Sequence, residues 1–138
     1  MVMQILPTKL LIALTLISAC PASADNPIDL PKILQSIAQV ESGCNDKAHN
    51  VKEDAAGRYQ IRPIYLRDVN RILGHNHYKP DDRYNAIKST EIVLIYWQHY
   101  AKLYTLDELA ALHNGGYPVK MDCTKKYRDR VRAIYKSL

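Results

Sequence analysis

Five stretches of the chain carry apolar residues at helical spacing, and the chain between them is polar. From Asp29 to Gly43, Ile33, Leu34, Ile37 and Val40 share one helical face, with Asp29 as N-cap, Pro31 in the first turn and Gly43 as the stop. Pro63 opens a second helix through Leu73, with Leu66, Val69, Ile72 and Leu73 inward and Gly74 ending it. A long helix is predicted from Asp82 to about Leu103; Ile92 to Trp97 are consecutively apolar, so it should be buried and central. Thr105-Leu-Asp-Glu108 is a capping box for a fourth helix running to about Leu112, where Asn114-Gly-Gly116 stops it. A last helix from about Thr124 carries Tyr127, Val131 and Ile134 on one face. The polar segment Asn45 to Gly57 has no helical period and is long enough for a short, irregular β-hairpin leading into Arg58 to Arg62. The sum is a mostly α-helical, small α+β domain, and 138 residues allow one such domain.

One position breaks the pattern. Glu41 falls four residues after Ile37, on the apolar stripe of the first helix and in its last turn. Desolvation and the negative end of the helix dipole both disfavour a charged carboxylate there, and a carboxyl kept neutral is what a general acid requires. The structural alternative is a C-terminal Glu that reaches back to water.

The amino terminus limits the compartment. A single cation at Lys9, an apolar run from Leu10 to Ile17 and Ala22-Ser23-Ala24 before Asp25 read as a secretory signal, residues 1–24, ahead of a domain over 25–138. The apolar run is too short for a permanent membrane span. Ile17-Ser18-Ala19-Cys20 also resembles a lipobox that would anchor the protein by a lipid at Cys20. An N-terminal core helix is the alternative, against which stand Pro21 and Pro27. The reading is therefore of an exported protein, periplasmic or extracellular, with a lipoprotein form open. Export leaves Cys44 and Cys123, an even pair that an oxidising compartment favours joining; two unpaired small hydrophobes are the alternative.

Loss of Lys9 with the signal leaves 18 basic against 14 acidic residues, net +4. That field suits acidic wall polymers and would equally suit nucleic acid. Ten Tyr, one Trp and no Phe is an unusual aromatic set, because each Tyr hydroxyl needs a partner.

Three segments carry chemistry in a fixed order: Glu41-Ser42-Gly43, then Gly57-Arg58-Tyr59-Gln60-Ile61, then His113-Asn114-Gly115-Gly116. Their order and spacing resemble the active-site segments of the lysozyme superfamily, both the goose-type and soluble lytic transglycosylase branch and the invertebrate-type lysozymes. The chain is similar to the latter in Val40 to Cys44, in Tyr59-Gln-Ile61 leading to Tyr65, and in His113 to Gly116. It departs from them in having three Cys in total and in placing Tyr117 before Pro118; it departs from transglycosylases in having Arg58-Tyr59 where Leu-Met is usual.

The resemblance implies a lysozyme-like fold and a peptidoglycan glycosidase that cleaves between N-acetylmuramic acid and N-acetylglucosamine, by hydrolysis or lytic transglycosylation. Glu41 would be the proton donor. In a hydrolase a second carboxylate is needed, and Asp54 or Glu53 in the hairpin could supply it; for Asp54 the alternative is a turn residue. In a transglycosylase one Glu suffices, acting as acid and then as base while the muramyl hydroxymethyl group closes an anhydro ring. Ser42, Tyr59, Gln60, His113 and Asn114 would bind substrate, Gln60 donating to sugar oxygens and Tyr59 stacking on a ring. Core packing is the alternative for Tyr59. No cofactor or metal is implied: His75-Asn76-His77 has no nearby acid or Cys and reads as a solvated loop. A monomer acting on glycan strands is expected. The competing class, a lysozyme-fold module that binds without turnover, would be marked by loss of the acid, which this chain retains. A nucleic-acid binder rests on charge alone and conflicts with export.

Overall fold

Asp29 caps the first helix as its position requires: its carboxylate accepts from the Lys32 backbone N–H at 3.1 Å, and the helix runs Leu30–Ser42, α1. Gly43 ends it at φ 63° and returns its N–H to the carbonyls of Ala38 and Gln39. The buried face holds Ile33, Leu34 and Ile37 together with Ser36 and Ala38. Burying a side chain such as Ile33 or Ile37 is worth about 1.5–3 kcal/mol.

The structure, a computed structural model, describes residues 27–138. The signal segment 1–24 and the lipobox at Cys20 lie outside the described residues. The elements after α1 are strands β1 (His49–Asn50) and β2 (Ala55–Ala56), helix α2 (Pro63–Leu73), a 3₁₀ turn Pro80–Tyr84, and helices α3 (Ala86–Tyr100), α4 (Leu106–Gly115) and α5 (Lys125–Ser137). The two strands form the expected hairpin, antiparallel with His49 opposite Ala56 and Asn50 opposite Ala55. A further bridge from Ala56 to Ile61 carries the chain back under it.

The long helix expected from Asp82 is broken at Asn85. The Asn85 side chain accepts from the backbone N–H groups of Ile87 and Lys88, so it caps α3 and leaves Pro80–Tyr84 as a separate 3₁₀ turn. α3 buries Ile92, Val93, Tyr96 and Trp97 on one face, whereas α4 is buried continuously from Glu108 to His113. The capping box at Thr105 forms by half. Thr105 accepts from the Glu108 N–H, but the Glu108 carboxylate accepts instead from the backbone N–H groups of Lys102, Leu103 and Tyr104. That bond set fastens the loop between α3 and α4.

α5 packs against both α1 and α4. Arg130 reaches the Val40 carbonyl and Lys32 lies over the Tyr135 ring at 4.5 Å, so α5 runs antiparallel to α1. These three helices enclose the end of α1 that carries Glu41. The expected Cys44–Cys123 bond is not formed: both thiols are free and exposed, and Cys44 turns its Sγ to Gln39 Oε1 at 3.6 Å. No helix among the described residues is long and apolar enough to cross a membrane.

Candidate active site

Glu41 sits one residue from the end of α1 with its side chain 19% exposed, so it neither enters the core nor swings free into water. It opens into a cavity of about 160 Å³ whose walls include Asn50, Glu53, Gln60, Tyr65, His113 and Asn114. α4 contributes His113, whose Nε2 stands 3.6 Å from Glu41 Oε1 and 2.8 Å from the Tyr59 carbonyl. A carbonyl can only accept, so Nε2 carries the hydrogen and, in the neutral ring, Nδ1 is bare. Burial holds the His113 pKa below the usual histidine value, against the pull of the Glu41 charge.

Tyr127 of α5 closes the other side. Its hydroxyl is buried and completes no hydrogen bond of good geometry, and Glu41 is the charge beside it. Burial first, and then that carboxylate, hold the Tyr127 pKa well above the ordinary tyrosine range. Tyr65 of α2 lines the cavity in the same condition, its hydroxyl buried without a partner and its pKa raised well above normal by burial. Buried polar atoms are nearly always paired. Of the four unpaired ones among the described residues, three belong to residues ringing Glu41, namely Tyr65, His113 and Tyr127.

The hairpin supplies the opposite wall, and its position depends on Arg83. The buried guanidinium donates to the carbonyls of Asp54 at 2.6 Å and Ile61 at 3.0 Å, and lies 3.4 Å from Asp54 Oδ1. Gly57 makes that approach feasible: a Cβ there would stand 1.8 Å from the Arg83 carbonyl oxygen, and its φ is +76°.

The two hairpin acids consequently differ. Asp54 points its carboxylate to His49 Nε2 at 2.9 Å and to Arg83, and stays outside the cavity; the His49 bond and then the Arg83 charge hold its pKa below the usual range. Glu53, the neighbouring residue, lines the cavity. Of the two hairpin acids expected as candidates for a second carboxylate, Glu53 lines the cavity and Asp54 does not. Asp46 is a loop acid clamped at both oxygens by Arg58, at 2.5 and 3.1 Å.

The remaining candidates divide between walls and braces. Ser42 does not face the cavity: its Oγ donates to the Arg58 carbonyl at 2.8 Å and accepts from the Asn45 N–H at 3.0 Å, tying the end of α1 to the Arg58–Ile61 segment. Tyr59 is 3% exposed and its hydroxyl is spent on Thr90 Oγ1 at 3.0 Å, so its carbonyl rather than its ring reaches the site. Gln60 does line the cavity, at a left-handed φ of 49°, but its amide nitrogen is committed to the carbonyls of Gly57 and Ala48. What it offers a ligand is its oxygen, an acceptor. Asn114 lines the cavity, and its backbone carbonyl accepts from Arg62 at 3.0 Å. Tyr127 and Arg62 carry no signal of a site in the sequence: Tyr127 falls on the apolar face of the last helix, and only its position beside Glu41 distinguishes it. No cluster of three or more metal-ligating side chains occurs among the described residues.

Chemically, a half-buried carboxyl facing an open cavity, flanked by a neutral imidazole N–H and a buried phenol, can pass a proton to a bound group and take one back. Helix-borne acid, hairpin wall and α4 turn together define a small lysozyme-like α+β domain. The chain belongs to the transglycosylase SLT domain family, whose model matches residues 20–133. That family gives it a peptidoglycan lytic transglycosylase-like function in general terms. No curated protein and no solved structure matches the chain.

Proposed function

We propose that the protein cleaves the bond between N-acetylmuramic acid and N-acetylglucosamine by lytic transglycosylation, with Glu41 as both acid and base. Glu41 protonates the glycosidic oxygen as the C1–O bond breaks, and the N-acetylglucosamine end leaves as an alcohol. The muramyl C6 hydroxyl then adds to C1, and its proton returns to the Glu41 carboxylate, so the product is a 1,6-anhydro ring and the enzyme is regenerated. No water enters. A peptidoglycan substrate calls for this work to be done in the periplasm or outside the cell, which agrees with the secretory signal expected at residues 1–24.

The observation that supports the reading is a half-buried Glu41 opening into a cavity whose walls also carry two residues with an unpaired buried polar atom, the Tyr65 hydroxyl and His113 Nδ1. Such groups cost about 1–3 kcal/mol each when left without a partner, a cost that a ligand filling the cavity would offset. Glu53 on the cavity wall favours a second reading, hydrolysis with Glu53 activating water.

Paired substitutions test both. Glu41→Gln should lower turnover of purified sacculi by roughly 10²–10⁴-fold, since the amide keeps the shape and cannot donate the proton. Glu53→Gln should lower it only a few-fold. Equal, severe losses in the two variants would favour the hydrolytic reading, and activity in Glu41→Gln above about a tenth of wild type would exclude Glu41 as the acid.

A further inference from the structure

A second cavity, of about 530 Å³, lies beyond the first and shares Arg62, Tyr65 and His113 with it. The two differ in charge. Beside the neutral His113, the Glu41 cavity sets two carboxylates, Glu41 and Glu53, against the single cation Arg62. The larger cavity sets Arg62, Arg67, Arg71 and Lys120 against the single carboxylate Asp68. Asp68 is already engaged, by Arg71 at 2.6 Å and by the Tyr100 hydroxyl at 2.7 Å, so Arg71 is largely neutralised where it stands. Arg62 and Lys120 donate only to backbone carbonyls, of Asn114 and Gly115, and those bonds hold each cation at the rim without cancelling its charge. The exposed Arg67 side chain extends the same rim from α2.

An aromatic wall backs this cavity. Tyr65 stacks on Tyr96 with centroids 4.1 Å apart, Tyr96 meets Tyr100 at 4.8 Å, and Tyr100 stacks on Tyr117 at 4.6 Å. Tyr117, 52% exposed, and Ile64, 66% exposed, leave apolar surface on the cavity's open side. Cations carried beside exposed apolar surface fit a ligand that is anionic and partly apolar.

In the reading proposed above, on which this inference rests, the substrate supplies such a group. Each muramyl unit bears a peptide stem whose free carboxylates hang off the sugar that is cleaved, so they must lie close to whatever holds that sugar. We propose that the cavity lined by Arg62, Arg67, Lys120 and Tyr117 binds the carboxylates of the peptide stem, and that the enzyme therefore acts on stem-bearing glycan in preference to bare glycan. The Arg62 and Lys120 cations meet a carboxylate, while Tyr117 and Ile64 cover the apolar atoms of the stem.

Two measurements separate this from the reading beneath it. The first compares kcat/KM of the wild-type protein on soluble strands with intact stems and on the same strands stripped of stems by an amidase. Stem-bearing strands should be cleaved at least about ten-fold better, a difference of one charge-assisted contact or more. Charge reversal by Arg67→Glu with Lys120→Glu should bring the ratio close to one, and Arg67→Ala should lower it part of the way. The second titrates a stem-bearing disaccharide into Glu41→Gln, with and without the two reversals, and needs no turnover. Binding should weaken at least ten-fold with the reversals and in raised salt. Equal cleavage of both strands by wild type, or a preference that survives the reversals, overturns the stem pocket and leaves Glu41 standing. Reversal-sensitive binding of the disaccharide by a protein that cleaves neither strand upholds the pocket and removes the catalytic reading. A preference lost only when teichoic acid is removed, with stems intact, would also overturn it, since it would assign the cations to phosphate.

Discussion

At the scale of single residues, the site is an acid held between two buried side chains, Tyr127, whose hydroxyl makes no hydrogen bond of good geometry, and His113, whose Nε2 is bonded to the Tyr59 carbonyl and whose Nδ1 is bare. Tyr127 has no partner in the resting structure other than the nearby Glu41 carboxylate, so its hydroxyl adds little to stability and can orient the acid. Tyr127→Phe should therefore leave the unfolding free energy within about 1 kcal/mol of wild type while lowering kcat about ten-fold and KM little. Unchanged kcat would mean that the hydroxyl plays no part at Glu41. His113 gives a pH signature of its own. Burial lowers its pKa below the unfolded value of 6.5, so below that pH the unfolded chain takes up a proton that the folded one refuses. Stability from this group is present above pH 6.5 and is lost as pH falls toward the folded pKa. His113→Gln retains a donor for the Tyr59 carbonyl and does not titrate. Urea denaturation between pH 7 and about 5 should show a shallower acid-side decline in that variant, and parallel curves would show that His113 is not held neutral.

At the scale of elements, the caps were readable and the long-range braces were not. Asp29, Gly43, Gly74 and Thr105 mark helix ends because each acts on backbone groups a few residues away, a range that sequence displays. Asn85 is equally local, but it lies just ahead of the apolar run Ile92 to Trp97, whose pattern suggested one long helix. Arg83 braces Asp54 and Ile61 from 29 and 22 residues away, and nothing near it in the chain announces that. Its bonds turn Asp54 outward, which is why the two adjacent hairpin acids could not be told apart beforehand. The same brace makes a firm prediction at Gly57. Gly57→Ala would force its Cβ into the Arg83 carbonyl at an unfavourable φ, and should cost more than about 2 kcal/mol in urea unfolding. A loss below about 0.5 kcal/mol would mean that the hairpin can shift off Arg83 freely.

For the whole molecule, the convergence of the three motif segments was legible and the parts their members play were not. Glu41, Gln60, His113 and Asn114 meet at one cavity, as their order along the chain suggested. Ser42 and Tyr59 belong to the same neighbourhood but do not turn their side chains to the cavity: the Ser42 hydroxyl donates to the Arg58 carbonyl, and Tyr59 offers its own carbonyl to His113. A motif names residues without saying whether side chain or main chain faces the ligand. The abundance of Tyr over Phe acquires a partial reason, since Tyr65, Tyr96, Tyr100 and Tyr117 form a continuous aromatic wall in which the Tyr100 hydroxyl donates to Asp68 and the Tyr96 hydroxyl accepts from the Tyr117 N–H.

The central claim, that one carboxyl acts first as acid and then as base with no water consumed, is tested most directly by the mass of the muropeptides that the wild-type protein releases from sacculi. Muramyl ends lighter by one water than reducing ends, absent from a Glu41→Gln digest, are the predicted result. Reducing muramyl ends as the sole new termini would contradict it.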